Sequence, residues 1–145
     1  MVKGRRVLTK VFLDSSVVFT AVNSPIGGSA KLFTLKSVKL TVSRLVLAEV
    51  EKNVRKKLFS YHLERFFMLV DKLVILDQFP DDDLIKKAEK VIVKKDAVIL
   101  AEAKQAKVEY LVTLDRKHFL KAEVEKFLWP KRVVTPKMFF ETYKN

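Results

Sequence analysis

Residues 94–119, KKDAVILAEAKQAKVEYLVTLDRKHF, hold the pattern on which the fold turns. Asp96, Ile99, Leu100 and Ala103 recur at i, i+3, i+4 and i+7, the period of an amphipathic helix. Asp96 opens this helix, which is expected to run to about Ala106. On that phase Glu102 and Lys104 face away from the buried stripe. The apolar YLVT (110–113) then reads as a short strand that stops at LDRKHF. A helix followed by a short, wholly apolar strand is half of a βαβ unit, and such units build parallel sheets covered on both faces.

The same alternation extends in both directions. A strand is expected from about Val7 to Leu13, and Ser16 to Val22 forms a short helix ended by the turn chemistry of NSPIGG. Ser29 to Ser37 reads as a second helix and Leu40 to Val42 as a strand. Ser43 is placed to cap a helix from Arg44 to about Lys57. Tyr61 to Val70 is helical, KLVILD a strand, and PDDD caps a helix with the stripe Leu84, Ile85, Ala88, Val91 and Ile92. Beyond residue 119, a helix from Lys121 to Leu128 precedes the short strand of RVVTP, and Pro136 starts a final helix to Tyr143. No linker, repeat or low-complexity segment divides the chain, so residues 1–145 are expected to form a single α/β domain.

In open α/β sheets, ligands bind beyond the carboxyl ends of the strands. Asp14 follows the first strand at that edge, in KVFLDSSVVF, and Asp115 follows YLVT at the same edge. Asp14 interrupts two apolar runs, and a buried carboxylate needs a pairing, a hydrogen bond or a metal. In SRLVLAEVEKNV, Glu49 lies beside the apolar stripe of Val46, Val50 and Val54, whereas Glu51 and Lys52 lie opposite. Each acid also has a structural explanation of its own. Asp14 can cap a helix, Glu49 can pair with Arg44 or a lysine, Asp96 can oppose a helix dipole, and Asp115 can cap the DRKHF turn. All four together at one edge would repel one another, and a hard divalent cation resolves that repulsion.

Composition narrows the partners. Lys and Arg number 29 against 17 Asp and Glu, a net charge of +12. Such an excess attracts polyanions, nucleic acid first among them. Scarce Asn and Gln, absent Cys and abundant Lys also fit a thermophile's surface, but heat adaptation enriches Glu as well. Without cysteine there is no disulfide, thiolate metal site or cysteine nucleophile. No apolar stretch is long enough for a membrane span, and the basic start lacks the signal-peptide pattern. These features point to the cytoplasm.

VFLDSSVVF, SRLVLAEV, the stretch from 94 to 119, and RVVTPKMFF occur in the order seen in PIN-domain proteins, among them VapC-like toxins and other prokaryotic PIN ribonucleases. The sequence resembles that family from about Val11 to Phe140. The resemblance implies a three-layer sandwich with a mainly parallel central sheet and metal-dependent cleavage of RNA, single-stranded or structured. It implies that Asp14, Glu49, Asp96 and Asp115 are the catalytic acids holding Mg²⁺ or Mn²⁺, with Ser16 and Thr113 supporting them. It also implies an antitoxin as protein partner, if the chain is a toxin and not an RNA-processing nuclease, and homodimerisation, for which MFFETY has apolar residues to spare. Where many members carry a further acid after the Asp115 position, this chain has Lys117 and His118. His118 is then a surface or phosphate-contacting histidine, or a lone metal ligand.

Arg44, Arg55, Lys56, Arg116 and Lys117 are the RNA-binding candidates by proximity to the acids; Tyr61, Phe119 and Trp129 could stack on bases, though each reads first as core or rim packing. The competing readings are a catalytically weak PIN-fold RNA-binding or assembly module, a haloacid-dehalogenase-type phosphatase and a receiver domain. The phosphatase needs a second Asp where Ser16 stands. The receiver domain needs an acidic pair that the first strand does not follow.

Overall fold

The computed structural model describes residues 8–143. Five parallel strands form one sheet, in the order β3-β2-β1-β4-β5. They are β1 (Thr9–Leu13), β2 (Val38–Ser43), β3 (Val74–Leu76), β4 (Tyr110–Val112) and β5 (Arg132–Val134). The sheet is wholly parallel, where mainly parallel was expected. The helices are α1 (Ser15–Asn23), α2 (Gly28–Leu32), α3 (Arg44–Lys57), α4 (Ser60–Val70), α5 (Asp82–Glu89), α6 (Lys94–Gln105), α7 (Ala122–Leu128) and α8 (Pro136–Thr142).

The chain winds outward from β1 to β3, then returns to the other side of β1 for β4 and β5. Right-handed crossovers put the connections of these two halves on opposite faces of the sheet. Accordingly α1 packs on α2, α3 and α4, and α6 packs on α5 and α7. This is the expected three-layer sandwich. Because β1 is covered on both faces, Val11, Phe12 and Leu13 are all fully buried. Burying each such side chain contributes about 1.5–3 kcal/mol, and that is why the strand carries no alternation of apolar and polar residues.

The register sets the functional edge. Phe12 pairs with Leu111, and Leu13 with Val112. Asp14 is therefore the first residue beyond β1, and Thr113 the first beyond its neighbour β4. The Asp14 N–H bonds to the Val112 carbonyl at 3.0 Å, and the Thr113 N–H to the Val134 carbonyl at 2.9 Å. The strand order reverses between β1 and β4, so the crevice of the sheet opens at this pair.

Several boundaries differ from those expected. Val7, the expected start of the first strand, lies outside the described residues. The helix expected over Ser29 to Ser37 ends at Leu32. There the Thr34 hydroxyl donates to the Lys31 carbonyl at 2.7 Å, and the Phe33 N–H bonds to the Ala30 carbonyl, closing the turn. The Leu84 stripe does not stay helical to Ile92, because Val91 and Ile92 both turn back to the Ala88 carbonyl. The expected caps at Ser43 and Asp81 form: Ser43 Oγ accepts the Val46 N–H, and Asp81 Oδ1 the Leu84 N–H. Within MFFETY, Phe139 is fully buried, Phe140 and Tyr143 are half-buried and Met138 is exposed, so the segment serves the core and still leaves apolar surface.

Candidate functional site

Four acids reach the carboxyl edge from four elements. Asp14 follows β1, Glu49 stands on α3, Asp96 is in the first turn of α6, and Asp115 follows β4. Asp14 occupies the N-cap position of α1 but makes no capping bond. Its Oδ2 instead accepts from two hydroxyls, Ser16 Oγ and Thr113 Oγ1, each at 2.8 Å. Asp14 is only 5% exposed, and these two charge-assisted bonds are what make that burial tolerable. Both hydroxyls are held in turn. Ser16 Oγ accepts the Leu114 N–H at 3.0 Å, and Thr113 Oγ1 accepts the Asp115 N–H at 3.0 Å. The ends of β1 and β4 are thus stitched together through side chains.

Glu49 does not pair with Arg44. It accepts from the Ser15 hydroxyl at 3.2 Å, while Arg44 forms an ion pair with Asp77. Burial pushes the Glu49 carboxyl above its ordinary range. The Ser15 bond pulls it back, and the neighbouring charges of Asp14 and Asp96 add to the rise. Burial likewise raises Asp96, against the lowering effect of Lys95 and His118, and Asp115 and Asp14 raise it further. The four acids therefore act on one another electrostatically even where they do not touch.

The tightest group differs from the expected one. Asp96, Asp115 and His118 each present a ligand atom within 4.8 Å of the others. His118 Nδ1 lies 3.2 Å from Asp115 Oδ2 and 3.5 Å from Asp96 Oδ2. It is not a surface histidine. Asp115 Oδ1 accepts the His118 N–H at 2.9 Å, the bond that folds DRKHF back on itself and carries the imidazole inward. Asp115 therefore does cap its turn, and with its other oxygen it faces the cluster. Asp96 Oδ2 is buried with no hydrogen-bond partner. An orphaned buried oxygen beside a second carboxylate and an imidazole fits a divalent cation.

The basic candidates separate. Arg116 and Lys117 are exposed directly beside Asp115, and Arg44 is exposed where α3 leaves the edge. Arg55 and Lys56 stand in the last turn of α3, roughly 16 Å along its axis from Arg44, and Arg55 is bonded to Glu51. That places Arg55 about 9 Å along the axis beyond Glu49. Beside Asp115 opens a groove of about 770 Å³, floored by Leu114, Pro136 and Phe140 and flanked by Arg116, Lys31 and Lys137. Phe119 is buried in the core and presents no stacking face. Trp129 and Tyr61 are exposed, but they precede β5 and start α4, at the opposite edge of the sheet.

Two residues escaped the sequence reading. Ser15 holds Glu49, and only the doubled serine of DSS hinted at it. Glu102, expected to face outward, is 5% exposed. Helix α6 is buried almost all round at Ala97, Ile99, Leu100, Ala101 and Ala103, so a single-stripe phase does not apply to it.

A five-stranded parallel sheet with converging acids at the end of its central strand defines an acid-centred α/β domain. The chain belongs to the PIN domain family, which matches residues 11–124, and members of that family are nucleases. Among solved structures, the chain is similar to VapBC-1 from nontypeable Haemophilus influenzae, with a TM-score of 0.60 and 16% identity over 89% of this chain and 99% of that one. It is similar to VapBC2 from Rickettsia felis bound to a DNA fragment from its promoter, with a TM-score of 0.58 and 22% identity over 87% and 97%. It also resembles Mycobacterium tuberculosis VapC20, described as a toxin that cleaves the sarcin-ricin loop, with a TM-score of 0.55 and 16% identity over 74% and 91%. No curated protein matches the chain. No helix among the described residues is long and apolar enough to cross a membrane.

Proposed function

We propose that this protein is a metal-dependent endoribonuclease, with Asp14, Glu49, Asp96 and Asp115 as its catalytic acids. The observation that carries the proposal is the cluster at the carboxyl edge, where Asp96 Oδ2 is buried and unpartnered beside Asp115 and His118. Asp96, Asp115 and Asp14 hold the cation, Glu49 completes the acidic shell, and His118 adds a nitrogen. A bound Mg²⁺ or Mn²⁺ lowers the pKa of a water and offsets charge on the phosphate being cleaved.

The chain's own groups do the positioning. Thr113 and Ser16 orient Asp14 through its Oδ2, and Ser15 orients Glu49. Arg116 and Lys117 hold the RNA backbone beside the acids, with Arg44 on the other side. The groove flanked by Lys31 and Lys137 continues this path. The net charge of +12 supports RNA as the polyanion, and water as nucleophile needs no covalent intermediate.

We infer further that the protein is the toxin of a toxin–antitoxin pair. The similar structures named VapBC support this reading, as does FitAcB from Neisseria gonorrhoeae, with a TM-score of 0.56 and 20% identity over 88% of this chain and 98% of that one.

The test is cleavage of a labelled single-stranded RNA with Mn²⁺, Mg²⁺ or EDTA, with Asp14→Asn as the control for contaminating nuclease. Metal-dependent cleavage that the variant loses is the expected result. Salt-sensitive RNA binding by both proteins without cleavage would replace the nuclease with a PIN-fold binding module.

A further inference from the structure

A second concavity lies on the sheet face beneath α6, and none of the four acids lines it. It has a volume of about 260 Å³, just below the usual range of small-ligand cavities, and it is open to solvent on one side. Val74 and Leu76 of β3 supply its apolar wall, and Gln78 and Gln105 stand at its sides. Three cations line it as well: Lys10, Lys39 and Lys107. Glu102 projects from α6 into its lining, two turns beyond Asp96, roughly 9 Å along the helix.

Glu102 is 5% exposed, and its Oε1 is buried without a hydrogen-bond partner. No ion pair among the described residues includes it. Burial opposes its ionised form, the Ser43 hydroxyl favours it, and the nearby charge of Glu49 opposes it as well. A buried carboxylate with so little support is kept at a cost to the fold. The metal site does not use it. Its surroundings are those of a ligand with hydrogen-bond donors at one end, a flat apolar body and negative charge at the other.

We propose that this groove binds a guanine nucleotide, with the ring N1–H and the exocyclic amino group donating to Glu102, the base against Val74 and Leu76, and the phosphate on the lysines. Guanine alone among the four RNA bases presents two adjacent donors on its pairing edge. Adenine and cytosine set a ring acceptor beside their amino group, and uracil flanks its N–H with two carbonyls. A carboxylate meets each of those acceptors unfavourably, and buried polar groups left unpaired are what give such sites their discrimination. The nucleotide is either a guanosine within an RNA strand or a free guanine nucleotide. In the first case the proposal rests on the ribonuclease reading and adds a base preference to it.

The test is made in EDTA, so it does not depend on the metal site. GMP, AMP, CMP and UMP are titrated into the full chain by calorimetry, with wild type, Glu102→Gln and Lys107→Glu. GMP is expected to bind at least about tenfold tighter than the others, and Glu102→Gln to lose that advantage, a change of about 1.4 kcal/mol. Lys107→Glu is expected to weaken GMP several-fold while leaving guanosine unchanged. If Glu102→Gln does not fold, the Lys107→Glu comparison decides.

Two RNA arms separate the sources. A 12-nucleotide oligouridine carrying one guanosine is compared with oligouridine alone. Tighter binding of the guanosine strand assigns the groove to RNA, and a gain confined to GMP assigns it to the free nucleotide. Equal binding of all four nucleotides, or GMP binding unchanged by the variants, overturns the proposal. RNA cleavage that persists in that event would leave the nuclease reading standing.

Discussion

The Thr113 hydroxyl donates to Asp14 Oδ2 at 2.8 Å across 99 residues of chain, and the same hydroxyl oxygen accepts the Asp115 N–H at 3.0 Å. One fully buried hydroxyl therefore sets the position of two acids on two strands. Thr113→Val keeps the shape and removes both bonds. It is expected to cost about 1–3 kcal/mol of stability and about 10–100-fold in metal affinity, as loss of an outer-shell partner does. Thermal unfolding and a Mn²⁺ titration check this. An unchanged metal affinity would mean that Asp14 needs no such support.

Asp14→Asn is expected to keep the fold and to abolish RNA cleavage, with a loss beyond the roughly 100-fold that outer-shell partners cost. Removing one of several mutually repelling carboxylates relieves the metal-free protein. Its melting temperature in EDTA should equal or exceed that of the wild type. Unfolding of the variant in EDTA would show that Asp14 is structural.

His118→Ala removes the one nitrogen donor from the cluster. Imidazole favours Mn²⁺ over Mg²⁺ more than carboxylate does. Mn²⁺ affinity should fall about tenfold or more while Mg²⁺ affinity changes little. Equilibrium binding of each ion reads the difference directly. Equal losses for both ions, or none, would place His118 outside the coordination shell.

Stability of the metal-free protein should fall as pH rises. Glu49, Asp96 and Glu102 all have carboxyl pKa values raised, first of all by burial. In the unfolded chain they ionise near pH 4. Each then destabilises the native state as pH climbs from there through its raised folded value. Acidification from neutral pH toward the range in which these raised carboxyls take up protons should raise the melting temperature in EDTA, and saturating Mn²⁺ should shrink that gain. Glu125, held low chiefly by its bond to Arg132, acts in the opposite sense, mainly below this window. A melting temperature that drops on acidification across the window refutes the assignment.

Reversing Arg116 and Lys117 to Glu should weaken RNA binding and flatten its salt dependence, by about one unit of slope for each phosphate that is no longer neutralised. The same change at Arg55 and Lys56 should do much less, because they lie at the far end of α3. Binding measured at several salt concentrations separates the two pairs.

The sheet, its helices and the edge carrying Asp14 and Asp115 were legible because buried parallel strands are apolar throughout and end abruptly. Glu49 was legible because α3 has one buried stripe and Glu49 borders it. Glu102 was not, since α6 is enclosed on nearly every side and its periodicity no longer tells inside from outside. His118 was visible in the sequence, but its role was open between surface, phosphate contact and metal ligand. Its place depends on the turn that Asp115 closes, a matter of backbone bonding and not of composition. Phe119, which in sequence could stack on a base but reads first as core or rim packing, is carried into the core by that same turn.

The parallel pairing of β1 with β4 also orders events during synthesis. Asp14 leaves the ribosome early, but its partners Thr113 and Asp115 emerge about a hundred residues later. Until β4 docks against β1, the acidic edge lacks Asp115 and the hydroxyl that holds Asp14. The acid cluster is thus incomplete for most of the chain's own translation, and it closes only when β4 reaches β1.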